Sequence, residues 1–352
     1  MQNAECRVIE NYDIVVIGGG PAGMAAALSA AAGWPPRTHL ADPDPLSQLS
    51  SLNSPLSTPP VPRVLIVERA PKLGGILNQC THSGFGQTYF GEELTGQEYA
   101  RRFRERIETS SVEVLTDTMV MDIGADRTIL VSGAGTGLKK IKAKSVVVAT
   151  GCRERPIGTL PVIGSRPSGI FAAGAAQKMI NLGGYDIGDR FVILGSGDVG
   201  LIVARELALR GKEVVAVIEK EAQCGGLARN RINCLEKHGI PLITNATVTA
   251  VHGMPRIGGV TVAETAGRES FIECDTLITS IGLVPERELV DALRARAEQG
   301  AGLRGQGSGD GETGDPEWLF LCGNADYVHP IVDGVTIESE KIGKTAATAA
   351  LC

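Results

Sequence analysis

The chain has no Cys-x-x-Cys pair. Its eight cysteines stand at positions 6, 80, 152, 224, 234, 274, 322 and 352, and no spacing among them fits a zinc or iron–sulfur ligand set. A disulfide framework of the kind that staples small secreted domains is excluded at 352 residues, so reduced thiols in a cytoplasm are expected. Basic blocks are missing, aromatics make up only 4% and the net charge is −6, which leaves nothing to grip nucleic acid. The opening residues MQNAECRVIENYD lack a basic segment followed by an apolar core, so no signal peptide is expected. The run from Ile14 to Trp34 is the nearest approach to a membrane span. Gly18, Gly19, Gly20 and Pro21 interrupt it, and a strand, turn and helix explain it better.

What the chain does have, it has twice. IVVIGGGPAG (14–23) and FVILGSGDVG (191–200) are each a β-branched run, then Gly-x-Gly-x-x-Gly, then an Ala/Leu-rich stretch. VLIVERAPKLGG (64–75) is echoed by VVAVIEKEAQCGG (214–226): an acid, Glu68 or Glu219, ends an apolar strand and a glycine pair follows. AKSVVVATG (143–151) is echoed by CDTLITSIG (274–282), the strands ending on Gly151 and Gly282. Ordered sets of this kind imply two copies of one nucleotide-binding unit.

The chemistry explains the pattern. The first glycine permits a tight turn, the second lets backbone approach a pyrophosphate, and the third lets helix and strand pack closely. The helix then aims free N–H groups at the phosphates, and the acid accepts from ribose hydroxyls. Gly195 and Glu219 are 24 residues apart, against an expected separation of about 20. Gly18 and Glu68 are 50 apart, and the Pro/Ser-rich segment 33–63 accounts for the surplus. That segment is expected to be a surface insertion, and the Gly-rich 298–317 a flexible loop; each reads as solvated linker ahead of functional lid.

IVVIGGGPAG…VERAPKLGG, VVVATGCRERP, GSGDVG…VIEK and LFLCGNAD follow one another in an order that resembles the pyridine nucleotide–disulfide oxidoreductase superfamily, the two-dinucleotide-binding flavoproteins. The resemblance covers nearly the whole chain outside the two insertions. GGILNQCTHSGFG, GCRERP and AAGAAQKMINLGGY are similar to a subset: FAD subunits of amine, opine and hydrogen-cyanide-forming dehydrogenases, and proteins associated with anaerobic glycerol-3-phosphate dehydrogenase. The resemblance implies an α/β fold of two Rossmann-like domains, each with three-layer ββα architecture, the second inserted in the first. An FAD-binding domain would occupy 1–160 and 283–352, and an NAD(P)-binding domain 161–282.

Carried over residue by residue, the resemblance puts Gly18, Gly20, Pro21, Ala22 and Gly23 at the FAD pyrophosphate. Glu68 would lie at the adenosine ribose, with Arg69 and Gly75 also at the cofactor. Thr150 and Gly151 would approach the cofactor near the domain crossover. Gly323 and Asn324 stand where the family carries Gly-Asp, so the polar role would persist without a charge. A helix beginning near Asp333, including Gly334, would aim its N-terminus at the flavin N1/O2 edge. In the second unit Gly195, Gly197, Asp198, Val199, Gly200, Glu219 and Gly282 would hold NAD(H). Glu219 repels the 2′-phosphate of NADP(H), although Arg229 and Arg231 downstream offset part of that repulsion.

The redox cysteine pairs of the superfamily are missing, and their positions after Gly74-Gly75 fall on Leu77 and His82. Cys80 remains as a lone redox thiol or a buried structural one, and His82 as a titrating group or a structural loop histidine. Cys152 and Cys322 read as filling tight space. His329-Pro330 with Asp333 mimics a histidine–proline–acid element by accident. Arg153, Glu154 and Arg155 form either a charged patch or a solvated turn. The expected function is an FAD-dependent oxidoreductase exchanging hydride with NAD(H). Its electrons would pass to or from a small molecule or a partner dehydrogenase subunit whose own substrate is glycerol 3-phosphate or an amine. The alternatives are a stand-alone NADH oxidase or single-thiol reductase using Cys80, and a non-catalytic nucleotide-binding sensor or scaffold.

Overall fold

A computed structural model describes residues 8–32, 62–302 and 315–351. The expected insertion at 33–63 lies outside them except for its last two residues. The chain divides into two compact units, the second interrupting the first. One comprises Met1–Leu77, Gly84–Gly151 and Pro285–Cys352; the other comprises Asn78–Ser83 and Cys152–Val284.

In the first unit the parallel strands run in the order Glu113–Leu115, Val64–Val67, Val8–Ile17, Gly137–Val148, with Leu319–Leu321 beyond. Strand Gly137–Val148 also begins an antiparallel meander through Thr128–Gly133 and Thr118–Ile123. The sequence explains why these strands are central. Ile14, Val16, Val64, Ile66 and Val147 face one apolar layer, built from helices. Their neighbours Val15, Ile17, Leu65, Val67, Val146 and Val148 face the other, closed by Val120, Ile123, Ile129 and Val131 of the meander. A strand buried on both faces must be apolar at every position, and IVVI and VLIV are. Each fully buried Ile or Val contributes roughly 1.5–3 kcal/mol.

Helix Pro21–Ala32 is small at most positions, Met24 and Leu28 apart, and helix Val332–Ala349 lies against its backbone. A methyl on Gly343 would stand 2.2 Å from the Ala26 carbonyl oxygen, and the Ser29 hydroxyl donates to the Glu340 carbonyl at 2.7 Å. Helix Gly96–Glu108 opens on a capping box formed by Thr95 and Glu98, and buries Tyr99, Phe103 and Ile107.

The second unit repeats the plan. Its parallel strands run Ile170–Ala172, Thr276–Thr279, Arg190–Leu194, Glu213–Ile218, Leu242–Ile243. Phe191, Ile193, Val217 and Ile278 face the helices Ala173–Asn181 and Asp198–Leu209. Val192, Leu194, Ala216, Ile218 and Leu277 face Val248, Val260 and Val262 of the antiparallel strands Ala246–His252 and Gly259–Glu264. Helices, parallel sheet and antiparallel meander therefore form three layers in each unit.

The units are not divided where the expected domains are: Asn78–Ser83 falls with the second unit, which otherwise runs Cys152–Val284 against the expected 161–282. The second unit begins at Cys152 and not at 161, because the Glu154 carboxylate accepts the N–H groups of Gly174 and Ala175 and the Arg155 N–H bonds the Gly282 carbonyl. Helix Glu288–Gly302 carries through the first residues of the loop expected at 298–317, since Ala297, Glu298 and Gln299 are good helix formers, and 303–314 lie outside the described residues.

Candidate dinucleotide sites

The two glycine turns have the same construction. Gly18 adopts φ +106° and Gly195 φ +101°, and a methyl on either would strike a carbonyl oxygen, Ala149 at 2.4 Å or Ser280 at 2.1 Å. A methyl on Gly23 would meet the Gly18 oxygen at 1.8 Å, and one on Gly200 the Gly195 oxygen at 2.7 Å. The middle glycines differ. Gly20 has nothing within 4 Å of its missing methyl, and Gly197 only the Ser280 hydroxyl at 3.8 Å. The first and third glycines are thus demanded by the chain's own packing, and the second opens outward. An opening there suits a phosphate brought against backbone N–H groups at a helix start, so these residues fit a dinucleotide.

Behind each turn sits the acid. Glu68 is buried; one carboxylate oxygen accepts the Gly19 N–H at 2.6 Å and the other the Ala70 N–H at 2.7 Å. Glu219 is equally buried and accepts from the Ser196 N–H at 2.9 Å, the Ser196 hydroxyl at 2.6 Å and the Glu221 N–H at 3.0 Å. Burial pushes the Glu219 carboxyl up, but the hydrogen bonds from Glu221 and Ser196 outweigh it and hold the group below the usual carboxylate range. A carboxylate oxygen has two acceptor directions, so either acid retains capacity for a ribose hydroxyl.

The repetition extends beyond what the sequence displays. Asp117 (φ +49°) donates its N–H to the Ala70 carbonyl, and Asn245 (φ +52°) does the same to Glu221. Both sit in the left-handed region that Asp and Asn tolerate best.

The remaining first-unit residues cluster near the ends of the parallel strands. The Thr150 hydroxyl donates to the Glu286 carbonyl at 2.6 Å, and the Gly151 carbonyl accepts the Glu286 N–H at 2.9 Å. Arg69 pairs with the Glu286 carboxylate at 3.6 Å on the exposed side. Pro21 and Ala22 begin the first helix, and a methyl on Gly323 would press on Ala22 at 2.7 Å. A methyl on Gly75 would come within 3.0 Å of Gly20.

At the C-terminal turn the structure gives roles that the sequence does not display. Asn324 Oδ1 accepts the His329 N–H at 3.0 Å. The His329 side chain is buried, stacks on Tyr327 with ring centroids 3.9 Å apart, and places Nε2 3.1 Å from Glu338, within ion-pair reach but not aligned as a hydrogen bond. Glu338 also accepts the Gly323 N–H at 3.2 Å. His329 is therefore an integral part of this turn. Helix Val332–Ala349 does begin beside Asp333, but the buried Asp333 carboxylate faces a loop, accepting N–H groups of Gly86, Thr88 and Tyr89 at 3.1, 2.7 and 3.2 Å. Tyr89 bonds Glu340 of the same helix, and Tyr99 bonds Thr336 at 2.7 Å. A methyl on Gly334 would meet only the His329 ring, at 3.7 Å.

In the second unit Val199 is partly exposed at the start of its helix, and Gly282 holds φ +107° beside Arg155. Asp198 is turned onto the loop beyond Gly226, accepting from the Leu227 N–H and the Asn230 side chain, both at 2.8 Å. Arg231 is drawn to Glu236 at 3.4 Å and Arg229 is exposed. Cys80 is buried, its sulfur 3.8 Å from Gln177 Oε1, and burial pushes its thiol up to about 12. Burial likewise draws His82 below the usual imidazole range. Cys322 is wholly buried, pushed up to about 12 by that burial, and Cys152 is half-buried.

Among the described residues no group of histidines, cysteines and carboxylates could hold a metal ion, and no helix is long and apolar enough to cross a membrane. The chain is 26% identical over 298 residues to the alpha subunit of sarcosine oxidase from Corynebacterium sp. (strain P-1), a match covering 78% of this chain and 26% of that one. It is 28% identical over 214 residues to an opine oxidase subunit of Agrobacterium tumefaciens (strain Ach5), covering 59% and 37%. The chain thus spans well under half the length of these two curated relatives, both of which are named as subunits. The crystal structure of thioredoxin reductase from T. acidophilum shares the fold with a TM-score of 0.66 at 20% identity, over 97% of each chain. The family model for pyridine nucleotide-disulphide oxidoreductase matches residues 12–325, and with the two glycine-turn units in place this chain belongs to that family of flavin and pyridine nucleotide oxidoreductases.

Proposed function

We propose that the first unit holds FAD, the second holds NAD(H), and the chain exchanges hydride between them. Its electrons pass to or from a partner dehydrogenase subunit or a small-molecule substrate. The observation that carries this reading is the duplicated turn: two buried glutamates bonded to the second residue of two glycine turns, each with its middle glycine open. When bound, the flavin and the nicotinamide supply the hydride chemistry themselves, and the protein supplies binding and orientation.

What the chain's residues do follows from their positions. Gly20 and Gly197 let a pyrophosphate reach backbone N–H groups at the starts of their helices. Glu68 and Glu219 accept ribose hydroxyls, and the charge on Glu219 disfavours a 2′-phosphate. Arg231 is turned to Glu236, which supports NAD(H) over NADP(H), while the exposed Arg229 leaves one cation that could offset the charge. Asn324 meets the flavin side chain with hydrogen bonds and without charge.

The partner reading draws on the relatives' names, which are those of sarcosine oxidase and opine oxidase subunits, and an amine or amino-acid-like substrate accords with both. Buried thiols in a chain without a Cys-x-x-Cys motif accord with a reducing cytoplasm. The test is a purified protein titrated with NADH under anaerobic conditions. A yellow preparation whose flavin band bleaches stoichiometrically supports the reading. Colourless protein that added FAD does not reconstitute overturns it, and bleaching driven faster by NADPH reverses the nucleotide preference. Oxygen as a competent acceptor without any partner would favour an NADH oxidase instead.

A further inference from the structure

The two units close their glycine turns by different means. In the first, backbone does the work: the Gly74 N–H donates to the Gly19 carbonyl at 2.8 Å, and Pro21, which begins the helix, offers no side-chain acceptor. In the second, side chains do it. Ser196 Oγ donates to Glu219 at 2.6 Å and accepts the Gly225 N–H at 2.7 Å. Two residues on, Asp198 Oδ1 accepts both the Leu227 N–H and the Asn230 amide at 2.8 Å. A methyl on Gly226 would stand 2.8 Å from that same oxygen, so the loop lies directly on the carboxylate.

From this difference we infer that Asp198 is a positioning residue for the nicotinamide nucleotide, acting as a side-chain clamp that seats the loop 225–230 against the phosphate turn. The inference rests on the reading of the second unit as the NAD(H) site, and it assigns Asp198 a role other than direct contact with the ligand. Both of its bonds go to the loop, and its position in the first turn of helix Asp198–Leu209 would by charge alone oppose an incoming pyrophosphate. The helix N-terminus stabilises the carboxylate, and the carboxylate orders the loop. A clamp of side-chain bonds can open without disturbing the strand–turn–helix, which suits a nucleotide that must enter and leave each turnover. A backbone closure suits one that stays.

The clamp and the charge make opposite predictions. If Asp198 works by accepting the two bonds, Asp198→Asn keeps an oxygen acceptor and binds NAD+ within about twofold of wild type, whereas Asp198→Ala weakens binding roughly tenfold, the loss expected for hydrogen bonds to a charged acceptor. If Asp198 works by charge, both variants lose it and both tighten.

Isothermal titration of NAD+ into the purified protein reads this directly, with thermal melting to verify folding. Hydrogen exchange at 224–231 gives a second readout that needs no ligand: Asp198→Ala should exchange faster at Leu227 and Asp198→Asn should not. In steady state, Asp198→Ala should raise KM for NADH and leave kcat within about twofold. Wild-type affinity and protection in Asp198→Ala, or an Asp198→Asn that fails alongside it, overturns the clamp. A wild-type protein that binds no NAD+ but shows the exchange difference overturns the nucleotide reading and leaves the clamp standing as a purely structural device.

Discussion

The backbone N–H of Gly19 donates to the buried Glu68 carboxylate at 2.6 Å, in the same arrangement that joins Ser196 to Glu219 at 2.9 Å. Each acid thus orders its own glycine turn before any ribose arrives. Glu68→Gln should therefore damage the turn as well as the ligand contact. The amide can keep one oxygen on Gly19 or Ala70, but its nitrogen then faces the other N–H. A buried donor left without an acceptor costs about 1–3 kcal/mol. The expected result is a lower melting temperature and purified protein depleted in flavin, read from absorbance per polypeptide. Glu219→Gln should also lower the melting temperature, but leave flavin content intact and weaken NAD+ binding.

Glycine substitutions separate folding from binding. Gly23→Ala drives a methyl to 1.8 Å from the Gly18 carbonyl oxygen, a contact that only backbone movement can relieve. Overpacking of that kind costs typically about 1–3 kcal/mol and more when the obstacle is backbone. Gly20→Ala meets nothing within 4 Å, so its melting temperature without flavin should match wild type. Its methyl projects into the space proposed for the pyrophosphate, and flavin affinity should fall by an order of magnitude or more. Loss of folding in Gly20→Ala, or unaltered flavin binding, would contradict the site assignment.

Much of this is legible in the letters, and the reason is local. Gly-x-Gly-x-x-Gly, the acid and the apolar runs are dictated within one strand–turn–helix, where sequence distance and spatial distance agree. The family, the three-layer units and the helix at Val332 follow from them. What stays hidden depends on contacts between distant segments. In the sequence His329 is an accidental echo, because its partners Glu338 and Asn324 meet it only after the C-terminal turn folds. Asp333 reads as a helix start, and its carboxylate proves to hold residues 86–89, some 245 positions earlier. Glu154 belongs to an ambiguous charged turn and turns out to cap the helix at Ala173. The continuation of helix Glu288–Gly302 is masked by the glycines that follow it, although Ala297–Gln299 favour the helix.

Acid sensitivity follows from Glu219. Its folded value lies below the usual range, and its unfolded value is about 4.3. A depressed carboxylate contributes stability above the unfolded value and loses it as pH falls through the folded one. Thermal melts of the wild type should therefore decline below about pH 4.5, and Glu219→Gln, less stable at pH 7, should decline less over the same window. Parallel curves for the two proteins would remove Glu219 as the cause.

Asp333 makes a stability prediction in the first unit. Removing its carboxylate strands the N–H groups of Gly86, Thr88 and Tyr89 beneath a helix. Asp333→Ala should cost about 3 kcal/mol, the scale of a broken buried network. Asp333→Asn keeps one good acceptor and should recover part of the loss. The readout is denaturant unfolding, accompanied by hydrogen exchange at 86–89, where protection should fall in the order wild type, Asn, Ala. Unchanged protection in Asp333→Ala would mean that the Tyr89–Glu340 and Tyr99–Thr336 contacts hold the loop unaided.

Cys80 tests whether thiol chemistry belongs to this protein. With its thiol pushed up to about 12, the thiolate fraction at pH 8 is on the order of 10⁻⁴, against roughly a quarter for an ordinary cysteine. The thiolate is the nucleophile, so alkylation of Cys80 in the native protein should run at least an order of magnitude (~10-fold) slower than in the denatured protein. Mass spectrometry of iodoacetamide-treated samples measures both rates. Cys80→Ala should likewise keep wild-type rates of NADH-dependent dye reduction, because the sulfur is buried against Gln177 Oε1 and is a poor nucleophile. Rapid native alkylation, together with lost turnover in Cys80→Ala, would instead point to a single-thiol reductase in which a substrate oxidises Cys80 to a sulfenate or mixed disulfide and the reduced flavin returns it to the thiol.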